Sequence, residues 1–447
     1  MLIDTAQTSG TTAPTTGLAA RLRRLTLSNT TLAFADQCAV SGQAFLTLLL
    51  MGAFADLAQV GAFAVALSII AIALAIQDAA ITRPYTVQLH TPIGSVRRHL
   101  IASLRLSLVL AGLTFVAVFG FGIAIIAVGG LSDGQVVMAL AVALPGALLR
   151  EFGRRVSFAH ERSIEAVLID APVVCLGLAG IVGLAVTGQL TATTGLLVLA
   201  ATNFAAGLCW LVAKGLGRAG GKIPTAQVAA SSWTMGRWLI LYQLAMQAQS
   251  YTTHWLALLV LGASATGVYA ACLSIVAFAN PMLYGLFNIM IPKSARVFRQ
   301  TGNHGVIHRA LRDGAVLVGL MLGFCVLIAL FGQKVMAALY PAAGDTRHLL
   351  IVIAVGSLMA AAGAPAAIAL ASANKAANLA LVTCLTALIN LAIILLLLPT
   401  GGLLGAAYGT LIAEFVGAAG RWIALYHAVG LRPTHSANIK TDLVRHA

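Results

Sequence analysis

Trp238–Leu261, WLILYQLAMQAQSYTTHWLALLVL, is long enough to cross a bilayer, yet it carries Gln243, Gln247, Ser250 and His254. Intervals of four, three and four put these side chains along one helical face. Lipid offers them no partner, so the face must turn toward other helices or a water-filled cavity. Bonding between neighbouring helices would account for each residue taken singly. A second stretch argues for the cavity: Asp36–Phe54 repeats part of the pattern at an offset of 206, pairing Gln37 with Gln243, Gln43 with Gln249 and Thr47 with Thr253.

The rest of the chain supports a membrane reading. Of its 447 residues 60% are hydrophobic and only 9% charged, and the mean hydropathy is +0.95. An ordinary soluble domain does not have this composition. With about 20 apolar residues needed per crossing, the sequence divides into about twelve spans, an all-α polytopic membrane protein. The net charge of +14 would suggest nucleic acid in a soluble domain. Here, with the N-terminal tail assigned to the cytoplasm, 25 of the 27 Lys and Arg fall on one side, and only Lys334 and Arg347 fall opposite. That asymmetry fixes both termini as cytoplasmic, requires an even number of crossings and removes nucleic acid as a partner.

A repeat sets the architecture. Gly61-Ala-Phe-Ala-Val-Ala-Leu-Ser68 opens span two and Gly267-Val-Tyr-Ala-Ala-Cys-Leu-Ser274 opens span eight, again 206 apart. Thr187-Gly188 before span six matches Thr400-Gly401 before span twelve. Six spans per half is an even number, so the halves have one orientation and an axis along the membrane normal relates them. The expected organisation is a cytoplasmic tail (1–28), a six-helix lobe (29–213), a cytoplasmic linker (214–232), a second six-helix lobe (233–430) and a C-terminal tail (431–447). Parallel repeats of this kind place a substrate cavity between the lobes, with spans one and seven as its natural walls.

Several motifs fail on context. Gly215-x-Gly217-x-x-Gly220 has the dinucleotide spacing, but a membrane helix precedes it where a strand is required. Gly221-Lys222 lacks the first glycine and the Ser or Thr of a phosphate loop, so movement of a cargo must draw on a gradient, a potential or product removal. His304-x-x-x-His308 has no third ligand beside it, and the six cysteines sit in apolar segments without CxxC spacing, as small buried residues. Neither a metal nor another cofactor is expected. Every connection on the far side is short, which leaves no room for the catalytic domain of a glycosyltransferase or polymerase, so no enzyme is expected.

Ionisable groups inside spans are the sharper signal, each costing at least ~2.5–3.5 kcal/mol at a span centre unless paired or hydrated. They are Asp36, Asp78, Asp170, His254 and Glu414. Asp36 and Asp78 lie toward the cytoplasmic ends, where Arg83 or Arg24 could neutralise them, so a structural ion pair and a proton or substrate role both stand. Arg83, Arg105, Arg150, Arg154 and Arg237 gather near the cytoplasmic mouth. They serve either as positive-inside anchors or, where they turn inward, as guanidinium forks for a diphosphate.

Phe34-Ala-Asp36-Gln37 with Ser41-Gly42 and Phe45, then Gly61–Ser68, then Arg150-Glu151-Phe152-Gly-Arg154-Arg155 with Ile169-Asp170, resemble the polysaccharide-biosynthesis membrane proteins. These form the lipid-linked oligosaccharide flippase (Wzx-like) branch of the multidrug/oligosaccharidyl-lipid/polysaccharide (MOP) exporter superfamily. The resemblance covers roughly 30–428. It implies a two-lobed bundle of twelve helices in a bacterial inner membrane that alternates access and moves an undecaprenyl-diphosphate-linked glycan, such as an exopolysaccharide or O-antigen precursor, to the outer leaflet. Its partners would be membrane lipids, a polymerase and glycosyltransferases. On this reading Gln37, Gln43, Gln243, Gln247, His254 and Asn280 line the cavity, and Arg83 and Arg237 meet the diphosphate at the mouth. Deep in the spans the sequence offers Gln, Ser, Thr and His in place of Lys or Arg, which suits a neutral glycan. The alternative is a cation-coupled multidrug (MATE-like) exporter that uses Asp36 as its coupling carboxylate.

Overall fold

The computed structural model describes residues 29–90, 92–215, 224–373 and 375–430. The expected tails, 1–28 and 431–447, lie outside these residues, as do Arg24 and most of the glycine motif at 215–222. Among the described residues all regular structure is helical.

The first half contains α1 (Asn29–Phe54), α2 (Leu57–Gln77), α3 (Val96–Ala127), α4 (Leu131–Ala159), α5 (Ser163–Val186) and α6 (Ala192–Ala213). Local chemistry starts them where the apolar runs begin. Asp56 accepts from the Gln59 amide at 2.8 Å to cap α2, Ser95 caps α3, and Thr191 and Thr194 form a reciprocal box at the start of α6. Helix α2 passes through a π-helical turn, Asp78–Thr82, before continuing as Arg83–Gln88. The second half contains α7 (Thr225–Leu261) and α8 (Ala263–Val276), which runs on through a tight turn, Ala277–Ala279, into residues 280–301.

Two further stretches look continuous and are not. Asn280–Leu339 breaks at Gly302 (φ 65°, ψ −149°), and Ala376–Leu425 breaks at Gly402 (φ 56°, ψ −143°). Leu283 and Met290 share a cluster with Leu317 and Met321, although 27 residues of straight helix would hold Met290 and Leu317 about 40 Å apart. Gly409 likewise lies against Ile394. Each stretch is therefore a hairpin, which yields α9 (303–339), α10 (Arg347–Ser372), α11 (376–401) and α12 (403–425). Among the described residues nine helical stretches are long and apolar enough to cross a membrane, and 263–339 and 376–428 are the two that fold back. Helix α7 has the length but is too polar to qualify by composition. With it the described residues make twelve crossings, in two lobes.

Helix α7 begins at Thr225, inside the stretch expected as the linker, 214–232. One expectation is corrected here. Cys175 and Cys209 are exposed on the outside of the bundle, and of the six cysteines Cys272 is the one that is buried.

The lobes meet at residues that the repeat makes equivalent. A Cβ on Gly61 would strike the Ala263 carbonyl and lie 2.8 Å from the Gly267 amide, while one on Gly267 would strike the Leu57 carbonyl and lie 3.2 Å from the Gly61 amide. Each glycine is the fifth residue of its helix. Reciprocal contact between equivalents puts the symmetry axis between them. Because both lie at helix starts on the same side, the halves are like-oriented. We call the side that carries the residue-29 end and most of the charge the basic side; the α2–α8 crossing closes the opposite side. There the far end of α1 also packs on the second lobe, Gly52 against the Tyr340 ring.

Candidate functional site

Toward the basic side the two seams between lobes differ. Helix α7 follows α2 over its length: Gly236 lies against the backbone of Ala79 and Ala80 in the π-helical turn, Gln88 donates to Ser231 Oγ at 2.9 Å, and Trp255 Nε1 donates to Ser68 Oγ at 2.8 Å. The equivalent pairing of α1 with α8 holds at Phe45 and Phe278, whose rings are 4.4 Å apart. Below them it opens into a gap of about 430 Å³ between Gln37 and Ser41 on one wall and Asn280 and Tyr284 on the other.

Behind α1 the first lobe is filled with paired charge. Arg154 reaches Asp36 at 3.0 Å and Asp170 at 2.7 Å, Arg150 reaches Asp170 at 2.8 Å, Arg155 holds Glu151 at 2.7 Å, and Arg83 holds Asp78 at 2.6 Å. Four carboxylates meet four guanidiniums. The side chains of Arg150 and Arg154 are only 13% and 11% exposed, so these arginines do turn inward, toward carboxylates. Asp36 is neutralised by Arg154, and Arg83 holds Asp78 instead. The small cavity above this network, about 150 Å³, is bordered by Gln43, Arg150 and Asn203.

The second lobe is arranged differently. A cavity of about 510 Å³ lies in its half nearer the basic side, bordered by Tyr242, Gln249, Ser250, Asn280, Tyr284, Thr383, Glu414 and Arg421 among others. Gln249 Nε2 donates to Glu414 Oε1 at 2.7 Å, and Asn390 Nδ2 donates to the Gln249 carbonyl at 3.1 Å. Glu414 Oε2, Gln249 Oε1 and Asn390 Oδ1 are buried without a donor. Buried oxygens without donors are what a proton or a small cation would satisfy.

The expected site residues are thus divided. Asn280 borders both the gap and the large cavity. Gln37 borders the gap and accepts from Arg154 at 3.2 Å. Gln43 is buried in the first lobe, donating to the Val173 carbonyl at 3.1 Å. Gln243 and Gln247 are half-buried on the face of α7 that carries Gly236, at the seam between the lobes. His254 is buried between the rings of Tyr251 and Tyr269, its Nδ1 without a partner. Arg237 is exposed and stacks over Trp238, and Arg83 lies beside Asp78. His304 and His308 are both exposed, and no cluster of three metal-ligating residues occurs among the described residues. The residues missed are Gln249, Asn390 and Arg421. Gln249 carried a signal, since the repeat pairs it with Gln43.

No family model matches the sequence, and no curated protein matches it. The three-dimensional arrangement does find relatives. An inward-facing multidrug-resistance MATE-family transporter of the MOP superfamily superimposes with a TM-score of 0.69 at 16% identity, over 92% of this chain and 98% of that one. The fold is that of the MOP transporters. The lipid II flippase MurJ, in an inward closed conformation, shares it with a TM-score of 0.67 at 10% identity, over 91% of this chain and 88% of that one. A MOP-superfamily transporter from Pyrococcus furiosus, described as having a binding pocket of reversed polarity, follows at 0.65 and 15%, over 92% and 98%. In this chain the MOP fold presents unequal lobes, one with a network of paired charge behind α1 and one in which, beside the Arg309–Asp313 pair, Glu414 and Arg421 border a cavity without touching.

Proposed function

We propose that the protein is an alternating-access transporter that flips an isoprenoid-diphosphate-linked oligosaccharide between the leaflets of its membrane. One observation carries the reading. The large cavity, whose mainly apolar wall carries Gln249, Ser250, Glu414 and Arg421, and the gap between α1 and α8 share Asn280 and Tyr284, so a headgroup bound at those polar residues can keep its tail along the apolar wall and out through the gap. A soluble drug requires no such side opening. Of the neighbours, one is described as a lipid II flippase, which makes a lipid-linked cargo a use this fold supports. In cells, deleting the gene should accumulate the glycolipid on the cytoplasmic leaflet; unchanged glycolipid would refute the reading.

The multidrug exporter is the second reading, and the buried oxygens around Glu414 are what favours ion coupling. Asp36 is held by Arg154, so the carboxylate free to exchange a proton or a cation is Glu414. If the protein exports dyes, Glu414→Gln should abolish proton-driven ethidium efflux. Efflux lost in Asp36→Asn but kept in Glu414→Gln would assign coupling to the first lobe.

A further inference from the structure

We infer that the cavity of the second lobe contains an anion-binding site, and that Arg421 is the residue that holds the anion. Arg421 is 8% exposed and borders the cavity, and among the described residues it makes no hydrogen bond or ion pair. Every other deeply buried arginine described above, Arg150 and Arg154, has a carboxylate partner. The carboxylate on the same cavity, Glu414, lies seven residues earlier on α12, about 10 Å along the helix axis, and its Oε1 is taken by Gln249. A buried guanidinium that touches no carboxylate is costly and points to a ligand, and Glu414 senses its charge across the cavity without contact.

The packing reserves space for this side chain. Gly363 on α10 faces it, and a Cβ there would lie 2.8 Å from Arg421 Nη1. Tyr242 and Tyr284 border the same space and supply hydroxyl donors. A planar fork of N–H donors with hydroxyls around it matches a phosphate or a carboxylate. This corrects the expectation of a neutral lining: Arg421 sits too near the end of a span for the sequence to separate it from the anchoring charges. The inference rests on the flippase reading only for the source of the anion, which is either the diphosphate of the carrier or an acidic sugar.

The test is binding to the purified full-length protein in detergent, with farnesyl diphosphate, farnesol and tri-galacturonate as probes. One or both anions should bind, and Arg421→Gln should weaken that binding by at least about tenfold. Arg421→Lys should restore part of it, and farnesol should be indifferent to all variants. Ala364→Glu leaves the guanidinium in place but adds a carboxylate to the wall beside Gly363; it should also lose the anion, which keeps the test decisive if Arg421→Gln does not fold. Anion affinity unchanged in both variants, or no anion binding by the native protein, overturns the inference. Farnesyl diphosphate that binds without regard to Arg421 removes this site and leaves the flippase reading intact. Arg421-dependent binding of tri-galacturonate, with farnesyl diphosphate failing to bind, keeps the site and removes the lipid diphosphate as its ligand.

Discussion

Arg154 shows how a charge inside the membrane is made tolerable. It touches Asp36, Glu151 and Asp170 at once, joining α1, α4 and α5 through one side chain. Removing it leaves the buried Asp36 without its partner and Asp170 with Arg150 alone, a defect of about 3–5 kcal/mol. Arg154→Gln should therefore melt far below the native protein in detergent, and Asp36→Asn in the same background should recover part of the loss. Equal melting temperatures for Arg154→Gln and native protein would mean that the network is not structural. His160, between α4 and α5 and outside the crossings, tests a second local effect. Burial, with Arg162 and Lys214 nearby, holds its imidazole below the ordinary histidine value against the pull of Glu165, and its Nε2 lies 2.8 Å from Tyr85 Oη. The folded protein keeps the ring neutral while the unfolded chain takes up a proton near pH 6.5. This contribution to stability is therefore lost as the pH falls below that value. Melting between about pH 7 and pH 5.5 should depend less on pH in His160→Gln than in the native protein; parallel curves would exclude the effect. Sequence identified the intramembrane carboxylates and offered Arg83, which does hold Asp78, but it did not find the partner of Asp36, because 118 residues separate Asp36 from Arg154.

The elements were legible wherever hydropathy alone decides them, and less so where glycine does. Eleven crossings follow from long apolar runs, and the polar α7 follows from its length and its stripe. Its orientation could not be read from that stripe, because Gln243, Gln247 and Ser250 lie within about 60° of arc at the seam itself, where Ser250 borders the second-lobe cavity and Gly236, on nearly the same bearing, meets the first lobe. The α2–α8 crossing was visible only as a repeat of sequence. That the two glycines touch is a property of the axis. Gly61→Ala must push a methyl group into the backbone of α8, and Gly267→Ala must push one into α2. Each should lower the melting temperature, and the double variant should cost less than the sum, because both act on one contact. Strict additivity would show that the glycines do not share a crossing.

The whole molecule combines near-symmetry of backbone with asymmetry of charge. The repeat made the like-oriented lobes legible, and the shared contact at Gly61 and Gly267 agrees with it. The difference between the lobes could not be read, since Gln43 and Gln249 are equivalent in sequence yet one meets a carbonyl and the other Glu414. The α2–α8 crossing closes one side and the α1–α8 gap lies toward the other, the arrangement on which the proposal of a lipid-linked cargo rests. The direct measurement is reconstitution of the purified protein into liposomes that contain a fluorescent isoprenoid-diphosphate-linked oligosaccharide in both leaflets. An impermeant reductant then bleaches the outer-leaflet label. With protein, bleaching should pass the outer-leaflet fraction and run toward completion as inner-leaflet lipid is delivered outward, and Arg421→Gln should slow that second phase. Bleaching that stops at the outer-leaflet fraction, as in protein-free liposomes, would contradict a flippase.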